Sequence, residues 1–188
     1  MNLSKITAGA ILMVAIATSA MAQSTAKKDA LYGELGYATF NYSEYYSNAT
    51  YTFSSGTAYR VIIGADMDES LAIEGLYASG LSSGALTISG YNSYMALNST
   101  YGFYLKPKMK INENATLFAR VGYAQSKGTL TIPSLSYSST ASNSSLSYGA
   151  GASYKLNETM SVNGDYMVYY NQNSVFVNGM TIGIGYKF

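Results

Sequence analysis

The 188-residue chain has no cysteine, histidine or tryptophan, and only two prolines. Without cysteine an exported chain needs no disulfide and offers no thiolate for catalysis or metal binding. Without histidine it lacks the commonest metal ligand and the usual base that activates a serine or cysteine nucleophile. Carboxylate-only catalysis stays formally open, but no pair of acids is singled out by its spacing. No enzymatic role, catalytic residue, cofactor or metal ligand is therefore expected. Charge is scarce as well: 11 basic residues stand against 10 acidic ones. Nothing in that balance attracts nucleic acid or a strongly charged partner.

A long apolar run is missing too. The apolar stretch at 8–17 covers about half of the roughly 20 residues a spanning helix needs. It follows Lys5 and precedes Ala20-Met21-Ala22, the order of charge, apolar segment and small residues found in a cleaved signal peptide. The reading is a signal peptide over 1–22 and one domain over 23–188. Removing Lys5 with the signal leaves basic and acidic residues in balance.

What the chain does have is 20 tyrosines, 18 glycines and apolar residues at alternate positions. The last nine residues show the pattern most clearly. Met180, Ile182, Ile184, Tyr186 and Phe188 fall on one face of a strand, and Thr181, Gly183, Gly185 and Lys187 on the other. Similar runs predict eight strands, near 31–42, 58–65, 71–79, 97–106, 115–125, 146–156, 160–170 and 180–188. Each is close to the 9 to 11 residues a tilted strand needs to cross a bilayer. The fold class expected is all-β, an eight-stranded antiparallel up-and-down transmembrane barrel.

Parity then sorts the side chains. Tyr37, Tyr59, Tyr77, Tyr101, Tyr123, Tyr148, Tyr166 and Tyr186 fall on the lipid side, where they read as an interfacial aromatic girdle or as simple β-propensity. Val168 is placed on that side as well. Glu34, Glu74 and Asp165 fall on the inner side together with Arg60, Lys106, Arg120 and Lys155. An eight-stranded barrel has just enough interior for side chains, so these charges must pair or be hydrated. Two readings stand: a salt-bridge network that plugs the lumen, or a gate that opens a narrow path when pairs exchange.

Connections alternate in length. Short polar turns begin at 66, 111 and 156, a spacing of 45 residues, and long loops are expected near 43–57, 80–96 and 126–145, with a shorter one at 171–174. The long ones set Tyr45, Tyr46, Tyr51, Phe53, Tyr91, Tyr94 and Tyr137 among Ser, Thr, Asn and Gly. Rigid aromatic area beside adaptable hydrogen-bonding groups is a palette suited to binding. A solvated loop with no partner has the same composition.

With the signal Ala20-Met21-Ala22, the hairpins with short acidic turns and the closing Tyr186-Lys187-Phe188, the chain resembles the small eight-stranded outer-membrane barrels. These include the OmpA-like transmembrane domain and its adhesin-like and porin-family relatives. The resemblance implies a Gram-negative bacterial outer membrane, contact with outer-membrane lipid and lipopolysaccharide, periplasmic chaperones on the way there, and a monomer. It also implies that Ile184, Tyr186 and Phe188 carry the signal read by the barrel-assembly machinery. Barrels of this architecture that are enzymes, such as the lipid A deacylase and the omptin protease, rely on a histidine that this chain lacks. The sequence also stops short of the peptidoglycan-binding domain of the full OmpA type, so cell-wall tethering is not implied. The functions left are a structural, surface-exposed role with adhesive loops, a small gated porin for passive diffusion, or a soluble lipocalin-like carrier with the apolar face turned inward.

Overall fold

A computed structural model describes residues 31–46, 49–88 and 90–188. The signal peptide expected over 1–22 lies outside the described residues. Ten strands form: β1 (Leu31–Tyr46), β2 (Ala49–Thr52), β3 (Gly56–Asp66), β4 (Leu71–Ser82), β5 (Gly84–Ile88), β6 (Tyr91–Lys110), β7 (Ala115–Ile132), β8 (Tyr137–Lys155), β9 (Met160–Gln172) and β10 (Val175–Lys187). Eight of them pair antiparallel in the order β1-β3-β4-β6-β7-β8-β9-β10, and β10 returns to pair with β1. β2 and β5 are short additions that pair with β1 and β6. The closing seam sets Tyr32 opposite Lys187 and Glu34 opposite Gly185, and the Phe188 N–H donates to the Leu31 carbonyl at 3.0 Å. The molecule is thus a closed eight-stranded antiparallel barrel.

Its outer face is apolar where a soluble protein would be polar. Leu35, Phe103, Tyr123, Met180 and Ile182 are each at least 60% exposed. Apolar area of that extent belongs against lipid. The lipocalin-like alternative fails here, because the polar and charged side chains Glu34, Arg60, Glu74 and Arg120 are the buried ones.

At one end the strands are joined by three tight turns with a shared design. Met67, Ile111 and Leu156 donate their N–H groups to the carbonyls of Leu71, Ala115 and Met160, at 2.9 Å in each case. The next residue, Asp68, Asn112 or Asn157, folds its side-chain oxygen back to accept the N–H groups two and three residues on. This is why short polar residues recur at these positions. The Ser70 hydroxyl and N–H also hold the Asp68 carboxyl below its ordinary pKa. The equivalent residues are Met67, Ile111 and Leu156, so the first turn is offset by one from the regular spacing expected.

At the other end the strands run on well past the expected limits. The segment 126–145, expected as a loop, is a continuous hairpin of β7 and β8 whose ladder holds from Ala115↔Tyr154 to Ile132↔Tyr137. It turns over a short 3-10 segment, Pro133–Leu135, and Ser136 in the left-handed region with φ 48°. Serine and threonine erase the apolar alternation there, yet the backbone ladder needs none. Thr129 and Thr140, opposite each other, share a hydroxyl hydrogen bond of 2.8 Å. The last hairpin closes on Asn173 and Ser174, with φ 52° and 63°, the left-handed pair a two-residue type I′ turn requires.

Alternation fails near the upper end of β9. β10 pairs Val177 with Tyr170 but Asn178 with Val168, so β9 carries one extra residue. Residues 167–170 are all buried, and Val168, expected on the lipid face, is only 5% exposed. A bulge breaks period-2 parity by construction.

Arginine placed on the lipid face at Val121→Arg is expected to destabilise the folded barrel by about 2–4 kcal/mol, whereas Leu81→Arg, beyond the tyrosines, costs about 0–1 kcal/mol. Urea unfolding from vesicles, followed by heat-modifiable gel mobility, measures both. Equal costs would reverse the assignment of outer face and membrane height.

Candidate functional site

Six of the seven inward charges meet in the barrel interior. Glu34 comes from β1, Arg60 from β3, Glu74 from β4, Lys106 from β6, Arg120 from β7 and Asp165 from β9. They sit three to six residues from the short-turn ends, so six strands deliver side chains to one level. β8 contributes glycine there. A Cβ on Gly151 would stand 2.6 Å from the Asp165 Cβ and 2.6 Å from the Phe118 ring, so the glycine makes room for the cluster.

Arg120, 1% exposed, is the hub. Its Nε donates to Glu74 Oε2 at 2.5 Å, its Nη1 to Asp165 Oδ2 at 2.6 Å and its Nη2 to Glu34 Oε2 at 2.9 Å. One guanidinium therefore bridges three carboxylates from three strands. Lys106 Nζ binds Glu34 Oε1 at 2.7 Å and Glu74 Oε1 at 2.8 Å. Arg60 clamps Asp165 with two parallel hydrogen bonds, the Nη1 to Oδ1 contact being 2.8 Å. Three positive and three negative groups cancel, and no formal charge remains in the cluster. Bidentate and multiply bonded geometry is what offsets the cost of taking these ions out of water.

An uncharged layer completes it. The Tyr32 hydroxyl donates to Glu74 Oε1 at 2.7 Å, and Arg60 Nη1 reaches the Tyr169 hydroxyl at 3.4 Å. Lys106 lies 4.5 Å from the Phe118 ring centroid and 4.9 Å from that of Tyr32, and the Arg120 guanidinium lies 4.5 Å from Phe118. On the other side of the ions, Ile62, Leu76, Tyr104, Ala124, Met167 and Tyr169 pack together. Ala38, Phe40 and Ala58 follow, with Leu97 against them. A void of about 10 Å³ beside Phe40, Leu97 and Tyr169 has room for about one water molecule.

Tyr32, Phe118 and Tyr169 were not anticipated as members. Tyr32 and Phe118 stand two residues before Glu34 and Arg120, and strand parity alone places them inward with those charges. Lys155 goes the other way. It is the last residue of β8, it is exposed, and it takes no part in the cluster. Parity gives the side of the sheet but not the height, and at a strand end the inner side opens to water.

The girdle tyrosines divide between two levels. Tyr37, Tyr59, Tyr77, Tyr101, Tyr123, Tyr148 and Tyr166 lie six to nine residues from the short-turn ends of their strands. Tyr37 pairs with Tyr59 and Tyr77 with Tyr101, and the Tyr59 and Tyr77 rings are 6.2 Å apart. Tyr59 and Tyr77 are half-buried and the other five exposed. Tyr186 sits at the opposite end, one residue from the end of β10, with its ring 5.4 Å from that of Phe188. Ile184, Tyr186 and Phe188 all point outward and are 52%, 48% and 65% exposed.

Closed topology, an apolar outer face and an interior of compensated charge meet a direct comparison at this point. Residues 8–188 match the family model for the outer membrane protein beta-barrel domain. The chain belongs to that family. It is an outer-membrane barrel of the small OmpA-like kind, its short turns facing the periplasm and its long hairpins the cell exterior. No curated protein matches the sequence. Among solved structures it is similar to Ail, the attachment invasion locus protein of Yersinia pestis, in complex with the heparin analogue sucrose octasulfate. That match has 18% identity and a TM-score of 0.62, and covers 86% of this chain and 100% of that one. It is also similar to Neisserial surface protein A, with 13% identity, a TM-score of 0.64, and 88% and 100% of the two chains covered. A third is OprG of Pseudomonas aeruginosa, with 15% identity, a TM-score of 0.59, and 87% and 98% covered. At these identities the likeness is one of fold.

Arg120→Met leaves three carboxylates facing only Lys106 and Arg60 in a dry interior, and a loss of about 3–5 kcal/mol is expected. Lys155→Met should stay within about 0.5 kcal/mol of wild type. Urea titration of both variants in vesicles gives the comparison, and similar losses would show that the cluster has no special weight.

Proposed function

We propose that this outer-membrane barrel is a structural, surface-exposed protein whose extracellular hairpins mediate adhesion. The single observation that carries the reading is the filled lumen. Arg120, Ile62, Leu76 and Met167 are each at most 1% exposed, and they stand across the path a solute would take. With the interior closed, the surface available for recognition is the part that rises beyond the tyrosine belt. β8 alone continues eleven residues past Tyr148 to Tyr137. At about 3.3 Å per residue and a tilt near 40°, that is a rise of roughly 30 Å.

The chemistry of this part narrows the partner. Between 43–57, 80–97, 126–145 and 171–174 the only charged residues are Glu44 and Lys127. The attachment protein from Yersinia pestis is described with a polysulfated heparin analogue, but one lysine gives no basic patch for such a ligand. A neutral glycan or an uncharged protein surface suits the exposed Tyr45, Tyr46, Tyr91, Tyr94 and Tyr137 better. Phe53 does not join them: it is buried and packs edge-on against Tyr42 at 5.5 Å. Tyr51 is half-buried.

The remaining partners follow the same reading. Lipid and lipopolysaccharide surround the apolar face, periplasmic chaperones hold the unfolded chain, and the barrel-assembly machinery reads Ile184, Tyr186 and Phe188. The protein acts as a monomer within its membrane and without enzymatic chemistry. A gated porin is the second reading, and one observation favours it: Glu34 and Glu74 each already contact both Lys106 and Arg120, so pairs can exchange partners.

Refolded protein in a planar bilayer decides between the two. Wild type should be silent, and Arg120→Ala should admit brief openings. Steady conductance from folded wild type would make the porin the function. For adhesion, replacing 129–140 by a two-residue Asn-Gly turn should abolish binding of cells to the purified barrel and leave its folding unchanged; undiminished binding would remove the hairpin from the function.

A further inference from the structure

Pairing between β8 and β9 stops at Tyr148↔Val168, while pairing between β8 and β7 continues up to Ile132↔Tyr137. Just above the break, serine side chains replace the ladder. Ser147 Oγ donates to the Val168 carbonyl at 2.8 Å, and Ser145 Oγ to that of Tyr169 at 3.2 Å. Beyond them, residues 137–143 are exposed, and their edge away from β7 has no hydrogen-bond partner among the described residues. Two other edges at the rim are tied. The Tyr45 N–H donates to the Ser174 carbonyl at 2.8 Å, and Ser54 exchanges hydrogen bonds of 2.8 and 2.9 Å with Ala85 on β5. The β8 edge stands open for seven residues.

An open edge is a template for another strand, and proteins that must avoid pairing protect it with charge, proline or a bulge. This edge has none of these. No charged residue occurs between Lys127 and Lys155, and Tyr137-Ser138-Ser139-Thr140-Ala141-Ser142-Asn143 contains no proline. Folded antiparallel on itself about Thr140, the segment sets Ser138 opposite Ser142, Ser139 opposite Ala141 and Tyr137 opposite Asn143. Every cross-strand pair is then small or able to hydrogen-bond, and no like charges meet.

We infer that the free edge of β8 is a docking strand for a second copy of this chain that emerges from an opposing membrane. The opposing orientation follows from geometry. Antiparallel pairing reverses the direction of the second β8, but each β8 descends toward its own membrane at a tilt of about 35–45°. Two copies in one membrane both descend and cannot run antiparallel, whereas copies in facing membranes can. The edge therefore leaves the barrel monomeric in its own bilayer and joins bilayers to each other, by main-chain hydrogen bonds that need no charged ligand. This deepens the adhesive reading above and rests on it.

The test uses the full mature barrel reconstituted in vesicles, with light scattering to follow clumping. Wild-type vesicles should clump, and the Ser139→Lys, Ala141→Lys double variant should lose this while keeping its folded gel mobility. Because the chain has no native cysteine, Thr140→Cys, which this pairing sets opposite its own copy, should form disulfide-linked dimers between vesicles under mild oxidation, and Leu81→Cys, exposed on β4, should not. Folded wild type that never clumps, clumping that survives the lysines, or cross-linking equal at both cysteines would each overturn the assignment. Binding of an added uncharged extended peptide without vesicle clumping would give the edge to a foreign strand instead. The vesicles contain no host component, so a negative result here leaves the cell-binding experiment to judge adhesion on its own.

Discussion

A backbone N–H or C=O left unpaired in hydrocarbon costs several kcal/mol, so a strand enters a bilayer only when both of its edges are satisfied. The return of β10 onto β1 meets that condition, and most of the structure follows from it. Closure with eight strands fixes an interior so narrow that every inward side chain touches others. Polar residues placed there cannot remain hydrated, and charged ones must find partners across the lumen. The six-membered cluster around Arg120 is the outcome: three acids and three bases from six strands with no formal charge left over.

The same constraint explains where the rules relax. Once the hairpins leave the bilayer, water can satisfy the backbone, and the wall no longer has to close. The seam between β8 and β9 opens at Ser147, above the tyrosine belt, where an edge can be left free at small cost. The outside is ordered in layers as well. Met67, Ile111 and Leu156 tip the three periplasmic turns with exposed apolar side chains, Tyr186 and Phe188 sit near that level, and seven tyrosines mark the opposite interface. The residues between them, including Leu35, Phe103, Val121 and Ile184, face the acyl chains.

Much of this was legible in the sequence because a strand in lipid has only two sides. Parity placed Arg120, Glu74 and Asp165 inward and Ile182 and Tyr123 outward, and the alternation of short turns and long connections gave the topology. What escaped parity did so for physical reasons. Lys155 is inward by count yet lies at the rim, because alternation carries no information about height. Val168 stands directly before a one-residue bulge that no local pattern marks. The upper halves of β7 and β8 read as loop because Ser and Thr on both faces erase the apolar rhythm while leaving the ladder intact. Tyr32 and Phe118 share the parity of the charges they cover, but aromatic contact depends on how neighbouring strands are staggered. That stagger is set by closure, which no single strand encodes.

The central claim is that strands on opposite sides of the lumen are held together by ionic contacts through Arg120. A double-mutant cycle between Arg120→Met and Glu34→Leu, read by reversible urea unfolding in vesicles, tests it most directly. The two residues lie on β7 and β1, four strands apart around the closed ring, and meet at 2.9 Å. A direct contact across the interior predicts a coupling of at least about 1 kcal/mol, whereas additivity within about 0.3–0.5 kcal/mol would mean that the two groups do not interact.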